Sequence, residues 1–438
     1  MQENFPNAQK AESIWDFQFS FPSIEEDNIV SLDEGGTPCE PSKKLGKILG
    51  IEQLYFKNET KNPTNSFKDR PASLLISHAR SWDFQKVICA SNGNQGASIA
   101  AYTSIEAMEC LNFIPEKIDI GKKAQIIAYD SKVITQGETV DDCIQEALNP
   151  KYSKDYYQAT PEFNPLTLEA EKTIAFEIFL ELGVPEWIIV PMGSGGLLVS
   201  IWKGFSELKD AGLAKEMPRF IGAQTKFSSS IVDEFLQSEK IGGGEDKISD
   251  SIALGILVKD PLYKKLAIKA IKETNGTSIS VSESNILSSV EELLNNEGIF
   301  AEPSSALTVA ALNILGKRGI FDLEKDKIVC IITGSGLKAP YVLEALSSRT
   351  KTAGMGSILS TKLKILSQIS MAQQKGINGT QLKKIIGSIS RAAIYQHLKD
   401  LESKDLINRR KEGKNVFYFI TNDGKKVLDA LDTLIALL

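Results

Sequence analysis

The chain repeats one local pattern: a short apolar run, a turn of glycine and small polar residues, then a longer helical stretch. Lys86-Val87-Ile88-Cys89-Ala90 leads into Ser91-Asn92-Gly93-Asn94-Gln95-Gly96 and a small-residue helix over Ala97–Met108. Trp187-Ile188-Ile189-Val190 leads into Pro191-Met192-Gly193-Ser194-Gly195-Gly196, and Lys327–Ile332 into Thr333-Gly334-Ser335-Gly336. Glu52–Lys57 reads as a strand ahead of Asn62–Arg70, with a helix starting near Ser66. Ala124–Tyr129 reads as a further strand, and Gln136–Leu148 and Leu168–Leu182 as helices. Strands alternating with helices predict an α/β fold with a largely parallel sheet. In such sheets ligands bind at the carboxyl ends of the strands, where all the Gly-rich turns fall.

Each turn has a job available. Gly193-Ser194-Gly195-Gly196 offers consecutive, uncrowded backbone N–H groups at a helix start, a geometry that binds phosphate; without a ligand it is a tight turn. Ser91, Asn92 and Gln95 also precede or open a helix whose amides can hold a carboxylate. Asn94 can donate to a phenolate oxygen. The Thr333 hydroxyl can bond a pyridine nitrogen and leave it largely unprotonated. Lys68, at a strand-to-helix turn, can form a Schiff base with an aldehyde cofactor. These are the parts of a pyridoxal 5'-phosphate site.

Composition narrows the alternatives. At 438 residues, with 42% hydrophobic and 24% charged, the chain suits two or three globular domains. No apolar run approaches a membrane span, and Met-Gln-Glu-Asn-Phe-Pro lacks the regions of a signal peptide. Five cysteines, at 39, 89, 110, 143 and 330, form no Cys-x-x-Cys pair, which fits a reducing cytoplasm and no metal site. The two histidines, His78 and His397, are far apart in different kinds of segment and read as structural or surface residues. Acid–base work then falls to lysine, carboxylates or a cofactor.

Charge divides the chain. From Lys351 onward there are 15 Lys+Arg and 7 Asp+Glu, a net of +8, beside −14 for the remainder. Residues 348–358 have linker composition, separating a body over 1–347 from a tail over 359–438. The tail reads as a helix over Leu359–Gln373, a second from Gly379 to near Gly387, and a third capped by Ser390. A hairpin over Leu406–Ile420 with a basic tip follows, then a helix capped by Asn422 or Asp423. In the third helix Ile394, Leu398 and Leu401 share one face, and Arg391, Tyr395, Gln396 and Lys399 lie on others. The tail resembles the winged helix-turn-helix domains of bacterial and archaeal regulators. That resemblance implies double-stranded DNA as partner, read by Arg391, Tyr395, Gln396, Lys399, Arg409, Arg410 and Lys411. The alternative is a protein-contact module with a solvated basic face.

The body resembles threonine synthase, within the fold type II (tryptophan synthase β-like) pyridoxal phosphate enzymes. The resemblance rests on Glu34-Gly35-Gly36-Thr37-Pro38, Phe56-Lys57-Asn58-Glu59, Asn62–Arg70, Gly93-Asn94, Glu169 with Lys172-Thr173, Gly298–Pro303 and Thr333–Lys338, in family order. It implies largely parallel sheets in two interleaved subdomains and a homodimer. It gives Lys68 the Schiff base, Asn94 the cofactor's 3′ oxygen, Gly193–Gly196 its phosphate and Thr333 its ring nitrogen. Ser91, Asn92 and Gln95 would contact substrate. It implies a lyase that turns O-phosphohomoserine and water into threonine and phosphate.

The substrate pocket departs from the family pattern. The phosphate loop reads Gly-Ser-Gly-Gly-Leu where the family has Gly-Asn-Ala-Gly-Asn, closer to amino acid dehydratases. Where threonine synthases show Asn-Pro-x-Arg-Leu-Glu-Gly-Gln-Lys-Thr, this chain has Asn164–Thr173, with Thr167 in place of the phosphate-gripping arginine. Gln95 replaces a threonine, and Glu162 a small polar residue. Lys57, Lys338 or the segment Gln224–Ser228 would have to supply the missing positive charge. β-Elimination from serine, threonine or a diamino acid is the alternative enzyme. A transcription regulator whose body only senses an amino acid is the alternative outside catalysis.

Overall fold

A computed structural model describes residues 3–6, 10–152, 154–236, 251–339, 355–372, 376–386, 391–412 and 415–428. The chain forms two compact units, 1–342 and 343–438.

Among the described residues the body holds two sheets. The larger has the order β1 (Cys39–Pro41), β2 (Gln53–Asn58), β10 (Lys327–Ile332), β7 (Trp187–Pro191), β8 (Arg219–Thr225), β9 (Thr277–Val281). The smaller has the order β5 (Lys132–Thr135), β4 (Glu109–Ile114), β3 (Lys86–Ala90), β6 (Tyr157–Gln158). Every neighbouring pair is parallel except β1 with β2. The smaller sheet is inserted between β2 and β7 of the larger, so the two subdomains interleave. β7 is buried throughout and β10 over Ile328–Ile332, as expected of parallel strands covered by helices on both faces. Helix Gly196–Asp210 turns Leu198, Ile201, Phe205 and Leu208 into the core of the larger sheet.

The placement of β10 beside β2 builds the site. Ile332 stands opposite Asn58, so the turn after β2 meets the turn after β10. The Phe67 amide donates to the Thr333 carbonyl at 3.0 Å and the Ser335 amide to the Asn65 carbonyl at 3.0 Å. Lys68 and Thr333, 265 positions apart in sequence, thereby share one wall.

Several expected elements shift. Ala124–Tyr129 is not a strand: helix Ile120–Ala128 covers it and buries Lys122 and Ile126, four residues apart on one face. The strand of that unit is β5. The helix near Ser66 begins at Asp69, because Ser66 pairs across to Gly334 instead. Leu168–Leu182 is two helices, Leu166–Glu171 and Thr173–Leu182, meeting at Lys172. Gln136–Leu148 shrinks to Val140–Ala147, and Ala97–Met108 becomes Asn94–Ile105.

The tail has helices Met355–Met371, Gly379–Ile386 and Arg391–Ser403. Its three-stranded sheet has the order β11 (Ile377–Asn378), β13 (Asn415–Ile420), β12 (Ile407–Glu412). Ile365, Leu366, Ile369, Leu382, Ile394, Leu398 and Leu401 form its own core. The first helix starts four residues before 359, so 355–358 are helical rather than linker; Ser390, Gly387 and 348–354 lie outside the described residues. The helix over 422–428 is capped by Thr421, whose hydroxyl accepts from the Gly424 amide at 3.0 Å, and not by Asn422 or Asp423.

Candidate active site

Lys68 sits at the N-cap of helix Asp69–Ser81. Its neighbours are pinned. The buried Asp69 carboxylate accepts from the Thr64 amide and hydroxyl, each at 2.6 Å. Arg70, fully buried, forks between Glu59 (2.8 Å) and Glu177 (2.5 Å). With both neighbours fixed, the Lys68 side chain is aimed into one cavity, where its Nζ lies 2.8 Å from Glu171 Oε1. The other oxygen of Glu171 accepts from the Ser200 hydroxyl at 3.2 Å. This buried carboxylate was not foreseen, although it stands in the Asn164–Thr173 stretch where the family shows glutamine.

The same cavity is lined by Ser91, Asn92, Asn94, Gln95, Gly193–Gly196 and Thr333. The body residues expected from the sequence to contact cofactor or substrate thus line one cavity. Gly195 has φ +89 and opens the 15-residue helix Gly196–Asp210. A Cβ on Gly193 would stand 3.2 Å from the Ile256 backbone, and one on Gly196 3.3 Å from the Tyr263 ring. The loop is therefore bare backbone aimed at the cavity, which suits a phosphate. Asn94 donates through Nδ2 to Glu302 Oε1 at 3.1 Å, and the Lys338 ammonium approaches its Oδ1 at 3.4 Å. The Thr333 and Ser305 hydroxyls are 2.8 Å apart. The Ser91 hydroxyl accepts from the Gly93 and Gly96 amides at 3.2 and 3.0 Å, so it caps its own helix. Asn92 donates to the Leu257 carbonyl at 3.3 Å. An amine, an amide cradle, a carboxamide donor and a strand-end hydroxyl are the donor set that pyridoxal phosphate needs, and they fit it.

Glu162, Thr167, Tyr263 and Glu302 complete the wall. Burial pushes the Glu162 carboxyl up, against the nearby Lys68 ammonium and a Ser194 hydrogen bond, with Glu171 pushing it further. Lys68 is the only lysine, arginine or histidine among the described residues lining the cavity. Lys57 does not supply a second: its ammonium is buried against Glu177 at 2.7 Å. Lys338 and Gln224–Ser228 are not on the wall either; Gln224 accepts from the Ile231 and Val232 amides instead. His78 is outside too, bonded to the Tyr157 hydroxyl at 3.0 Å and stacked on Trp82.

In the tail, Arg391, Tyr395, Gln396 and Lys399 are exposed while Ile394, Leu398 and Leu401 of the same helix are buried. Arg391 donates to the Thr380 hydroxyl at 3.1 Å. Arg409, Arg410 and Lys411 are exposed but lie along β12, opposite Tyr418, Phe417 and Val416, not at the hairpin tip. Arg409 pairs with Glu402 at 2.9 Å.

Comparisons with known proteins agree with this geometry. Residues 30–334 match the family of pyridoxal-phosphate dependent enzymes, and residues 358–438 the HxlR-like helix-turn-helix family. The threonine synthase of Methanocaldococcus jannaschii is 39% identical over 75% of this chain and 81% of its own length. That of Methanosarcina acetivorans is 34% identical over 76% and 81%. In fold, a maize serine racemase superposes with a TM-score of 0.59 at 17% identity, covering 72% of this chain and 92% of that one. A fungal L-serine ammonia-lyase from Rhizomucor miehei gives 0.59 at 20%, covering 68% and 93%. The chain is a pyridoxal-phosphate-dependent lyase belonging to the threonine synthase family, with an HxlR-like helix-turn-helix domain at its C-terminal end.

Proposed function

We propose that the body removes the α-proton of a small L-amino acid and expels a group from its side chain, with Lys68 as the catalytic residue. The observation that carries this is the Lys68–Glu171 contact of 2.8 Å inside the cavity that also holds the Gly193–Gly196 cradle. Pyridoxal phosphate, when bound, supplies the electron sink for the α-carbanion. Gly193–Gly196 hold its phosphate, Asn94 its ring oxygen, Thr333 its ring nitrogen, and Lys68 attaches it. The Lys68 amine would take the proton from Cα. Glu171, held by Ser200, orients that amine and stabilises its protonated form. The amides at the start of helix Asn94–Ile105 receive the substrate carboxylate.

Two reactions begin with this proton transfer. Conversion of O-phosphohomoserine and water to threonine and phosphate is the one the names of the relatives favour. Elimination without a phosphate is the one the cavity favours: Thr167 and Glu162 border it, and the sole lining cation among the described residues is committed to the cofactor. Incubation with O-phosphohomoserine, threonine and serine, measuring phosphate, ammonia and keto acid, separates them. Borohydride should fix the cofactor covalently to Lys68, giving a labelled peptide containing that residue. A Lys68→Ala protein that forms the same adduct at the same stoichiometry would refute the assignment.

The tail is proposed to bind duplex DNA through Arg391, Tyr395, Gln396 and Lys399 in the major groove and Arg409, Arg410 and Lys411 on flanking phosphates. A homodimer in the cytoplasm belongs to the same reading; light scattering tests the dimer.

A further inference from the structure

Gln95, Glu162 and Thr167 are three polar residues of the cavity lining. The Gln95 carboxamide oxygen and the Thr167 hydroxyl are buried, each residue 2% exposed, and neither atom has a hydrogen-bond partner among the described residues. A buried polar atom without a partner costs stability unless a ligand completes it. Both flank the segment that carries Glu162: the Gln95 side-chain Nε2 donates to the Ala159 carbonyl at 3.5 Å, and the Thr167 backbone amide to the Asn164 carbonyl at 3.0 Å. Glu162 stands close enough to Lys68, Glu171 and Ser194 to feel all three. The Tyr263 phenol, held up first by burial, also feels the charges of Glu162 and Glu171. The Gln95 oxygen can only accept, so a group that completes it brings a hydrogen, and beside Glu162 and Glu171 on the same wall a positive charge is favoured. A phosphate brings neither and would meet two carboxylates.

Resting on the lyase reading above, we propose that Gln95, Glu162 and Thr167 form a subsite for a cationic hydrogen-bond donor. The substrates would then be short L-α-amino acids with a second amino group, such as 2,3-diaminopropionate and 2,4-diaminobutyrate. With 2,3-diaminopropionate the step balances without an oxidant or reductant. The Cα proton passes to the Lys68 amine, and the Cβ–N bond breaks with its electron pair staying on nitrogen, which leaves as ammonia from the ammonium beside Glu162. Tautomerisation and hydrolysis of the released aminoacrylate by one water give pyruvate and a second ammonia. A cation seated beside Glu162 also brings its raised carboxyl back toward the ordinary range, which is where an acceptor for an ammonium has to be.

The holoenzyme is titrated with L-2,3-diaminopropionate, L-2,4-diaminobutyrate, L-serine and O-phosphohomoserine, following cofactor absorbance and heat of binding. The diamino acids are expected to bind at least about tenfold more tightly than the other two, the scale of one charge-assisted contact. Glu162→Gln should reduce that preference by about tenfold. Gln95→Leu, which removes an acceptor without touching the charge, should reduce it in the same direction and keeps the question open to test if Glu162→Gln does not fold. Tighter binding of serine or O-phosphohomoserine, or a preference unchanged in both variants, overturns the subsite while leaving the lyase reading in place. No response of the bound cofactor to any of the four overturns the lyase reading, and the subsite with it.

Discussion

Single residues in the body are held at odds with their ordinary ionisation, and Lys338 shows the cost. It is 5% exposed, and burial lowers its ammonium from 10.5 to about 8, although Asp69 and Glu302 pull the other way. The folded value lies below the unfolded one, so between those two values the unfolded chain keeps a proton that the folded one has lost. Stability attributable to Lys338 therefore rises with pH through that window. Relative to Lys338→Met, the parent should gain about 2 kcal/mol of unfolding free energy between pH 7 and 9.5, by denaturant titration of the cofactor-free protein. A difference that is the same at both pH values would show that Lys338 is not buried as described. Residues of this kind also mark the limit of sequence reasoning. That Lys68, Asn94 and Thr333 come to one cavity was legible because each stands in a short motif that fixes its own backbone. Glu171 and Glu302 were not, because their roles come from partners 103 and 208 positions away, Lys68 and Asn94, which only the fold brings near.

At the level of elements, the recurring device is a strand that ends in a bare turn at a helix start. Gly193→Asp places a carboxylate in the turn after β7, where the backbone amides face the cavity and the nearest atoms to a new Cβ are 3.2–3.5 Å away. Those contacts are tight but tolerable for folding, whereas a carboxylate among amides competes directly with a phosphate. Cofactor affinity should fall by at least about tenfold while the unfolding midpoint of the cofactor-free protein moves little. Unchanged affinity would remove this turn from the phosphate site. The strands β3, β7 and β10 were readable because a strand covered on both faces is a continuous apolar run. Ala124–Tyr129 misled for the same reason: Gln125-Ile126-Ile127-Ala128 has the composition of a strand, yet its burial follows a helical spacing set by Asp119, Lys122 and Ile126. Lys122, paired with Asp119 at 2.7 Å and Glu302 at 3.0 Å, is a charged residue in a core position, and no periodicity of apolar residues announces it.

The whole molecule joins an acidic body of net −14 to a basic tail of net +8, and the tail has its own core, so its properties are testable apart. A fragment spanning 343–438 should fold alone and bind duplex DNA. Its helix Arg391–Ser403 buries Ile394, Leu398 and Leu401 and leaves Arg391, Tyr395, Gln396 and Lys399 exposed, the division a helix needs if one face packs and another enters a groove. Arg409, Arg410 and Lys411 add cations along β12, a strand rather than a tip, so they are spaced along a backbone instead of gathered at one point. Each phosphate contact releases counterions, and affinity should fall with roughly one unit of log–log slope in salt per contact. Arg410→Ala with Lys411→Ala should flatten that slope by about two units and weaken all sequences alike, because phosphate contacts carry no base information. Gln396→Ala should instead change which sequences are retained while leaving the slope in place. If the folded fragment retains no genomic duplex at any salt concentration, the exposed face of this helix serves a protein partner, and the charge division between tail and body reflects that contact instead.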